Sequence, residues 1–447
     1  MASTYISRTL ASNGQKKGTI SVWFKVAGLG TERAIVTSYY DATYHASILL
    51  SSNDQIDVFD YRSGYVSRLL TNRLFRDIGA WYHLVYEFDS TNGVADDRNK
   101  LWINGVQETS FSSRTNYGSS ASTSWDTDYS FRIGARNSDQ YWNGEMSHFY
   151  FIQGYNYAAS TFGSTDSTSG IWTINTGASV NYDGTGGNSC FLKMEDRTNL
   201  DLDSGDNSLT MTTTGDLTAT YDNPSNNFAV LNSLINTNNT FSNGNVSLTA
   251  TDSSWNSGCS TLCAGTGKWY AEMKWVATGG TNFGIADARD IHLFGYGEMG
   301  YQPTGAVGDS VGWYGDSGSA SADVKKNGVQ EYVCETYDAG DIISVALDCD
   351  NGAVYVRKNG GSWQNSGDPT SGASRTGAVE ITAGETYFFG ATTWTSGCNV
   401  DVNFGNGYFG TSVVSSAVAD GNGKGAFEYA PPTGYLALCT ANLGSDS

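Results

Sequence analysis

Glu87 and Asp89 are the two carboxylates whose spacing comes nearest to that of a catalytic pair. Alternate residues of a strand share one face of a sheet, so both side chains would project together. Retaining cleavage of a glycosidic bond needs an acid and a nucleophile about 5 Å apart. Ser90, Thr91 and Asn92 follow, so no third carboxylate extends the pair. We therefore expect no polysaccharide hydrolase at this position.

Three aspartates near a predicted loop, Asp89, Asp96 and Asp97, are the best candidates for a metal site. Calcium takes six to eight oxygen ligands, many of them from aspartate. A solvated acidic loop is the alternative explanation of the same residues. We expect no cofactor, with calcium at this loop as the open alternative.

Histidine and glycine patterns favour no other catalytic class. The sequence shows no G-x-S-x-G elbow, no local Cys-His signature, and no glycine-rich phosphate loop opening a helix. His83 and His148 lie on predicted strands, where a structural role is expected. We therefore predict that the protein is not an enzyme. The four histidines are His45, His83, His148 and His292.

The cysteines do not have the spacing of a zinc site. Cys259 and Cys263 are the only close pair, and zinc would need a second pair or nearby histidines. Buried free thiols are expected, and a disulfide between Cys259 and Cys263 is the alternative. The seven cysteines are Cys190, Cys259, Cys263, Cys334, Cys349, Cys398 and Cys439.

The charge balance excludes two classes of partner. Lys plus Arg is 25 and Asp plus Glu is 45, which gives a formal net charge of −20. Nucleic-acid binding needs basic side chains to replace phosphate counterions, and docking on an anionic membrane needs them too. No apolar run approaches the roughly 20 residues of a membrane helix. We expect neither a nucleic-acid partner nor membrane insertion.

The start of the chain lacks the apolar segment of a secretory signal. The composition, rich in Gly, Ser, Thr and Tyr with 16% charged residues, nevertheless fits a β protein that works outside the cell. We therefore expect synthesis in a cytoplasm without a signal peptide, followed by release on lysis; a mature chain whose signal was removed is the alternative.

The sequence predicts short strands separated by turns, and these strands and turns would position the candidate residues named above. Residues 18–26, 81–88 and 100–106 are rich in β-branched and aromatic side chains, and residues 267–275 alternate apolar and polar. Asn104-Gly105 and Asn351-Gly352 are strong hairpin signals. No long stretch has helical periodicity. The pattern predicts an all-β chain of two tandem antiparallel β-sandwich (jelly-roll) domains.

Pro224 restricts Asn223 to extended conformations within a stretch of turn-forming residues. We place the domain boundary there, which gives domains at 1–222 and 223–447.

Four motifs of the first domain resemble the laminin-G-like, concanavalin A-like jelly roll. They are WYHLV (81–85), KLWINGV (100–106), FRIG (131–134) and WNGEM (142–146). The resemblance covers about residues 15–155 and implies the fold but no activity. Hydrolases of this broad fold carry three carboxylates on one strand, which this sequence lacks.

The second domain resembles the SPRY (B30.2) β-sandwich through GKWYAE (267–272), GDIISVALDCDNG (340–352) and VDVNFG (400–405). SPRY domains bind other proteins through loops at one end, which implies a binding face here. Aromatic loop residues would suit it because they offer large contact areas at low entropy cost. Packing in the sandwich core is the alternative for each. The candidates are Tyr296, Tyr301, Trp313, Tyr314, Trp363 and Trp394.

Two further segments resemble sequences of tailed-phage virion proteins, especially those of marine phages. One is the junction with YDNPSNNF (221–228) and FAVLN (228–232), and the other is the terminal FEYAPPTGYLALCTANL (427–443). The resemblance implies a non-enzymatic structural protein on the virion surface, as capsid fibre, capsid decoration or tail appendage. It would mediate adhesion to the host surface or to neighbouring virion proteins.

The expected partners are therefore other virion proteins and a host-surface glycan or protein, and a homo-oligomer such as a trimer is plausible by analogy. A free glycan-binding lectin or adhesin is the alternative, and a polysaccharide hydrolase is the least favoured reading.

Overall fold

The computed structural model describes residues 3–137, 139–183, 187–235, 238–277, 279–315 and 322–444. The chain forms two compact units, Met1–Ala219 and Thr220–Ser447. Both consist of sheets whose strands are antiparallel, except for one short parallel pair in the second unit, so the predicted all-β class is confirmed. No helix among the described residues is long and apolar enough to span a membrane.

The first unit contains sixteen strands among its described residues. They are β1 (Tyr5–Thr9), β2 (Lys17–Val26), β3 (Arg33–Tyr39), β4 (Tyr44–Leu50), β5 (Gln55–Arg62), β6 (Tyr65–Leu74), β7 (Trp81–Asp89), β8 (Asn99–Ile103), β9 (Val106–Gln107), β10 (Phe111–Thr115), β11 (Ser130–Ile133), β12 (Gly144–Gln153), β13 (Gly163–Thr165), β14 (Trp172–Ile174), β15 (Cys190–Leu192) and β16 (Thr212–Thr214). Short 3-10 helices lie at Ala95–Asp97, Ser124–Asp126 and Ala159–Thr161.

Two sheets of this unit enclose its core. The eight-stranded sheet has the order β10-β6-β5-β4-β3-β11-β1-β16, and the six-stranded sheet has the order β15-β12-β2-β7-β8-β9. Side chains alternate along each strand, so one face of each sheet is apolar. Val22, Leu84 and Ile48 are among the fully buried residues between the sheets.

The other face of the six-stranded sheet is also covered. Val85 and Tyr150 project from it into a second apolar cluster with Phe162 and Phe191, which the chain after β12 supplies. The rings of Tyr150 and Phe191 stack with centroids 3.8 Å apart. The hairpin of β13 and β14 brings Trp172 against the same face. Strand β7 is therefore buried on both sides.

The second unit contains the other sixteen strands among the described residues. They are β17 (Asn239–Ser242), β18 (Ser247–Ala250), β19 (Asn256–Cys259), β20 (Lys268–Trp275), β21 (Gly280–Asp287), β22 (Ser310–Gly315), β23 (Ala322–Lys326), β24 (Val329–Cys334), β25 (Ile342–Asp348), β26 (Ala353–Lys358), β27 (Val379–Glu380), β28 (Tyr387–Trp394), β29 (Asn399–Asn403), β30 (Tyr408–Phe409), β31 (Ser412–Val413) and β32 (Leu436–Ala437). Helix α1 (Thr440–Leu443) follows, and 3-10 helices lie at Ala288–Tyr296, Gln364–Ser366 and Gly372–Ser374.

Two sheets again form the sandwich of this unit. One has the order β17-β18-β29-β20-β25-β26-β27, with β32 paired in parallel to β20, and the other has the order β19-β28-β21-β22-β23-β24. Met273 and Val345 of the first sheet and Phe283, Trp313 and Phe389 of the second are fully or almost fully buried in the core between them.

A buried carboxylate holds the terminal segment on the outer face of the first of these sheets. Glu272 accepts hydrogen bonds from Tyr270 Oη at 3.0 Å, Asn403 Nδ2 at 3.2 Å, and the backbone N–H groups of Glu428 and Tyr429 at 2.9 Å each. Burial raises the pKa of Glu272 to about 7, and these donors act in the opposite direction. The carboxylate thus anchors the chain that covers Tyr270.

Three glycines face each other across the second sheet. Gly284 pairs with Gly390 on one side and with Gly312 on the other. Met299 lies directly over two of them: a Cβ on Gly312 would lie 2.5 Å from the backbone carbonyl carbon of Met299, and a Cβ on Gly390 would lie 2.5 Å from its Cε atom. The missing side chains therefore allow residues 297–300 to lie against the sheet.

We predict that Gly312→Ala lowers the free energy of unfolding by about 1–3 kcal/mol, the usual cost of overpacking. The nearest atoms are backbone atoms of Met299 and Gly300, which cannot rotate away as a side chain would. Urea denaturation measures the change. Gly421→Ala is the control, since a Cβ there meets no atom within 4 Å. Equal stability of both variants would contradict the close approach.

The buried carboxyl of Glu272 also predicts a pH dependence. Its pKa is raised from 4.5 to about 7 on folding, so the folded state binds more protons between these values. This contribution to the free energy of unfolding therefore falls as pH rises from about 4.5 to 7. Glu272→Gln removes this pH dependence. The free energy of unfolding of the variant is expected to be lower than that of wild type, and this difference is expected to narrow by roughly 1–3 kcal/mol between pH 5 and pH 8.

Chemical denaturation at the two pH values measures that difference. Glu331→Gln, at an exposed position of β24, is the control and should show no such change. If the difference in free energy of unfolding between wild type and Glu272→Gln stays constant or widens towards pH 8, the raised pKa of Glu272 is refuted.

Candidate functional site

The predicted carboxylate pair is engaged in local structure. Glu87 is almost buried on β7, with its Oε2 atom 3.8 Å from Nζ of Lys100. Burial raises the pKa of Glu87 to about 7, and Lys100 acts in the opposite direction. Asp89 Oδ1 accepts from both the backbone N–H (2.9 Å) and the hydroxyl (2.5 Å) of Thr91. Asp89 thus closes the turn after β7.

The structure does not gather Asp89, Asp96 and Asp97 into a calcium site. Asp96 accepts from Asn116 at 2.7 Å, and Asp97 lies 3.7 Å from Lys100 Nζ. Across the described ranges, no group of three or more His, Cys, Asp or Glu side chains could hold a metal ion. Each aspartate instead serves a turn or pairs with a neighbouring polar or basic group.

His83 and Ser21 are in contact, but in the wrong protonation state for nucleophilic catalysis. Nδ1 of His83 accepts from the indole N–H of Trp172 at 3.0 Å, and Nε2 lies 2.9 Å from Ser21 Oγ. An indole N–H only donates, so Nδ1 carries no proton and Nε2 does. Nε2 therefore donates to Ser21 and cannot remove its proton. Burial lowers the pKa of His83 to about 3, which keeps the ring neutral.

All seven cysteines are free thiols. Cys259 is fully buried and Cys263 partly so, and burial raises the pKa of both thiols. The alternative of a disulfide between them does not occur in the structure.

The six aromatic candidates divide between core and surface. Trp313 is fully buried between the sheets, so its assignment to a binding face was wrong. Trp363 lies apart from the other candidates, beside Tyr355 and with Arg357 4.7 Å above its ring. The side chain of Tyr296 lies outside the described residues. Tyr301, Tyr314 and Trp394 lie on one surface.

That surface is a continuous row of side chains, which we call the aromatic strip: Trp394, Trp255, Tyr314, Lys325 and Tyr301. Trp255 lies 5.1 Å from Trp394 and 5.6 Å from Tyr314, measured between ring centroids. Lys325 Nζ lies 5.1 Å above the Tyr314 ring and 4.7 Å above the Tyr301 ring. Tyr301 and Trp394 are each 37% exposed.

Strand register explains why the strip forms. Gly280 pairs with Trp394, and because it has no side chain the Trp255 ring lies over it. Asn282, two residues along β21, pairs with Tyr314 and shares the outer face. Trp255 and Lys325 were not predicted. The adjacent Gly279-Gly280 was the available signal, because a glycine in a strand often marks close approach of another group.

Polar side chains border the strip on the same sheet. Glu298 Oε1 accepts from Asn282 Nδ2 at 2.6 Å, and Asp323 Oδ1 lies 3.8 Å from Lys325 Nζ. Burial raises the pKa of Glu298 to about 7; the Asn282 hydrogen bond and Lys325 lower it, whereas Asp323 raises it. Asn282 is 1% exposed, and its Oδ1 has no partner among the described residues. The site thus combines ring faces with carboxylate and amide groups.

Comparison with known proteins supports the fold. Residues 2–160 match the family model described as the concanavalin A-like lectin/glucanases superfamily, which confirms the laminin-G-like jelly roll of the first unit. A comparison with curated protein sequences finds no match.

Three similar solved structures share 10–19% identity with the chain. The SPRY domain of human HERC1 has 16% identity and a TM-score of 0.29, covering 38% of this chain and 96% of that one. The TRIM65 PSpry domain has 10% identity and a TM-score of 0.29, covering 39% and 91%. Domain 4 of AbnA, a GH43 arabinanase from Geobacillus stearothermophilus in complex with arabinotriose, has 19% identity and a TM-score of 0.23, covering 31% and 66%.

The electrostatics of the strip predict a measurable titration. Lys325→Met removes a positive charge that lowers the pKa of Glu298, so that pKa is expected to rise above about 7. Carboxyl 13C chemical shifts across pH 5–9 measure it. Lys326→Met is the control, since Lys326 pairs with Asp309 at 3.1 Å. An unchanged or lower pKa of Glu298 in Lys325→Met would contradict the geometry.

Proposed function

We propose that this chain is a non-enzymatic adhesion protein on the surface of a tailed-phage particle, as capsid fibre, capsid decoration or tail appendage. Its partners are neighbouring virion proteins and a glycan or protein of the host surface. The observation that carries the adhesive role is the aromatic strip, which places ring faces and polar groups together on a sheet surface.

The assignment as a non-enzyme is supported by what the reactive groups do. Glu87 is nearly buried beside Lys100, and Asp89 closes a turn. His83 presents a proton to Ser21 and so cannot act as its base. In each case the group needed for chemistry already holds another part of the fold.

The adhesive role is supported by the way the strip is fixed. Aromatic side chains recur in binding surfaces because they offer large areas with only two rotatable bonds. Trp255 packs against Trp394 and over Gly280, and Lys325 lies between Tyr314 and Tyr301. Because these rings are already ordered by packing, a partner that contacts them loses little further entropy.

Placement on a phage particle rests on the sequence resemblance of residues 221–232 and 427–443 to virion proteins. A net charge of −20 fits a surface that repels nucleic acid and anionic membranes. A free glycan-binding lectin is the alternative. Such a lectin would bind through the same aromatic strip but would not be part of a virion.

We predict that the chain is present in purified lysate particles and that adhesion to host cells depends on the strip. Replacing Trp394 and Tyr301 together by alanine is expected to reduce the binding of full-length protein to host cells at least about tenfold, because two aromatic contacts are lost. Trp363→Ala, outside the strip, is the matched control and should bind as wild type.

Mass spectrometry and immunogold electron microscopy of the particles test the location. Labels on the head indicate a capsid fibre or decoration, and labels on the tail indicate receptor binding. Particles that lack the protein would overturn the virion role and favour the free lectin. Degradation of a glycan by wild type that is lost in Glu87→Gln would overturn the assignment as a non-enzyme.

A further inference from the structure

We propose that the aromatic strip of the second unit is a binding site for a neutral saccharide, with sugar rings stacked on Trp394 and Trp255 and a hydroxyl donating to Glu298. This inference names the ligand of the site on which the proposed function rests.

The size of the strip favours a small ligand over a protein. An aromatic side chain has an area of roughly 150–250 Å², and no ring of the strip is more than 37% exposed. The five side chains together therefore offer at most about 460 Å². A stable protein interface buries about 800 Å² on each partner. The strip has the dimensions of one or a few sugar units.

The chemistry of the strip matches the two surfaces of a sugar. A pyranose ring presents C–H groups on its faces, which pack on aromatic rings, and hydroxyls on its edge, which need hydrogen-bond partners. Glu298 lies on the same sheet face as the rings, fixed by Asn282. Only Oε1 of Glu298 is engaged among the described residues, so Oε2 is available as an acceptor.

The charges around the strip disfavour an anionic ligand. Two carboxylates, Glu298 and Asp323, oppose one ammonium group, so an anionic sugar or phosphate meets net repulsion once Glu298 is ionised. A cationic ligand would need a ring face to itself, and Lys325 already lies above two of the four rings, those of Tyr314 and Tyr301. A neutral polyhydroxyl ligand needs only the faces of Trp394 and Trp255 and a hydrogen-bond acceptor, so it is the class that fits this surface best.

The polar border of the strip is rigid before any ligand arrives. Ser257 Oγ donates to the carbonyl of Gly297 at 2.7 Å, and the backbone N–H of Met299 donates to Thr392 Oγ1 at 3.0 Å. Asn282 donates to the carbonyl of Met299 at 3.1 Å. Glu298 lies between these hydrogen-bonded residues. Its side chain is therefore already ordered and loses little conformational entropy when a ligand binds.

Ligand-observed NMR of the full chain tests the proposal, with methyl glycosides of glucose, galactose, mannose, N-acetylglucosamine and N-acetylgalactosamine, and with glucuronate and choline as charged probes. At least one neutral glycoside is expected to bind, and neither charged probe. Trp394→Ala is expected to weaken that binding about tenfold, and Trp363→Ala to leave it unchanged. Glu298→Gln retains the shape but weakens the acceptor, so a smaller loss is expected.

Binding of glucuronate or choline in preference to the neutral glycosides would overturn the ligand class, as would binding that Trp394→Ala leaves intact. No binding by any neutral glycoside, with strip-dependent adhesion to host cells retained, would show that the site takes a protein and would leave the proposed adhesion standing. If the wild-type protein binds a glycoside but does not adhere to host cells, or is absent from the particles, the proposed function alone is refuted.

Discussion

The close approach of residues 297–300 to a row of glycines is the contact on which the candidate site depends. Gly284, Gly312 and Gly390 lie side by side in three neighbouring strands, and Met299 occupies the space that side chains on Gly312 and Gly390 would fill. Hydrogen bonds from Asn282 and to Thr392 then fix the segment. Because Glu298 precedes Met299 directly, its carboxylate is placed beside the aromatic strip by packing rather than by a flexible loop. The Glu298 carboxylate is therefore held as rigidly as the sheet against which it packs.

Several buried acidic residues of the chain serve as internal anchors. Glu272 holds the terminal segment through two backbone N–H groups, and Asp420 accepts from Ala437 N and Asn442 Nδ2. Asp60 in the first unit accepts from the backbone and hydroxyl of Ser124. Carboxylates accept several donors at once, so a few of them satisfy the backbone of long connections between strands. The carboxylates of Glu272, Asp420 and Asp60 are therefore engaged by donors of the fold itself.

The sequence predicted the sheets well because short alternating strands and Asn-Gly turns are local signals. Hairpins occur at Asn104-Gly105 and Asn351-Gly352, as expected. The site was harder because it depends on register. Trp313 and Tyr314 are adjacent in β22 and must point to opposite faces, so only one could belong to a surface, and the sequence did not show which. Trp255 was missed because its partner Trp394 is distant in the chain, and their contact arises only when β19, β28 and β21 are aligned.

In the second unit, the six-stranded sheet β19-β28-β21-β22-β23-β24 carries the packed segment at residues 297–300 and the rings of the proposed binding surface at different positions. The glycine row and Met299 lie near the centre of the sheet, where a new Cβ would displace backbone. Trp255 precedes β19, Trp394 ends β28, and Tyr301 follows the packed segment, so these rings lie at element ends. Changes at such positions alter the surface with little effect on the core. A different ring or hydrogen-bonding group there would change the proposed ligand preference, while the glycines would still hold Glu298 in place.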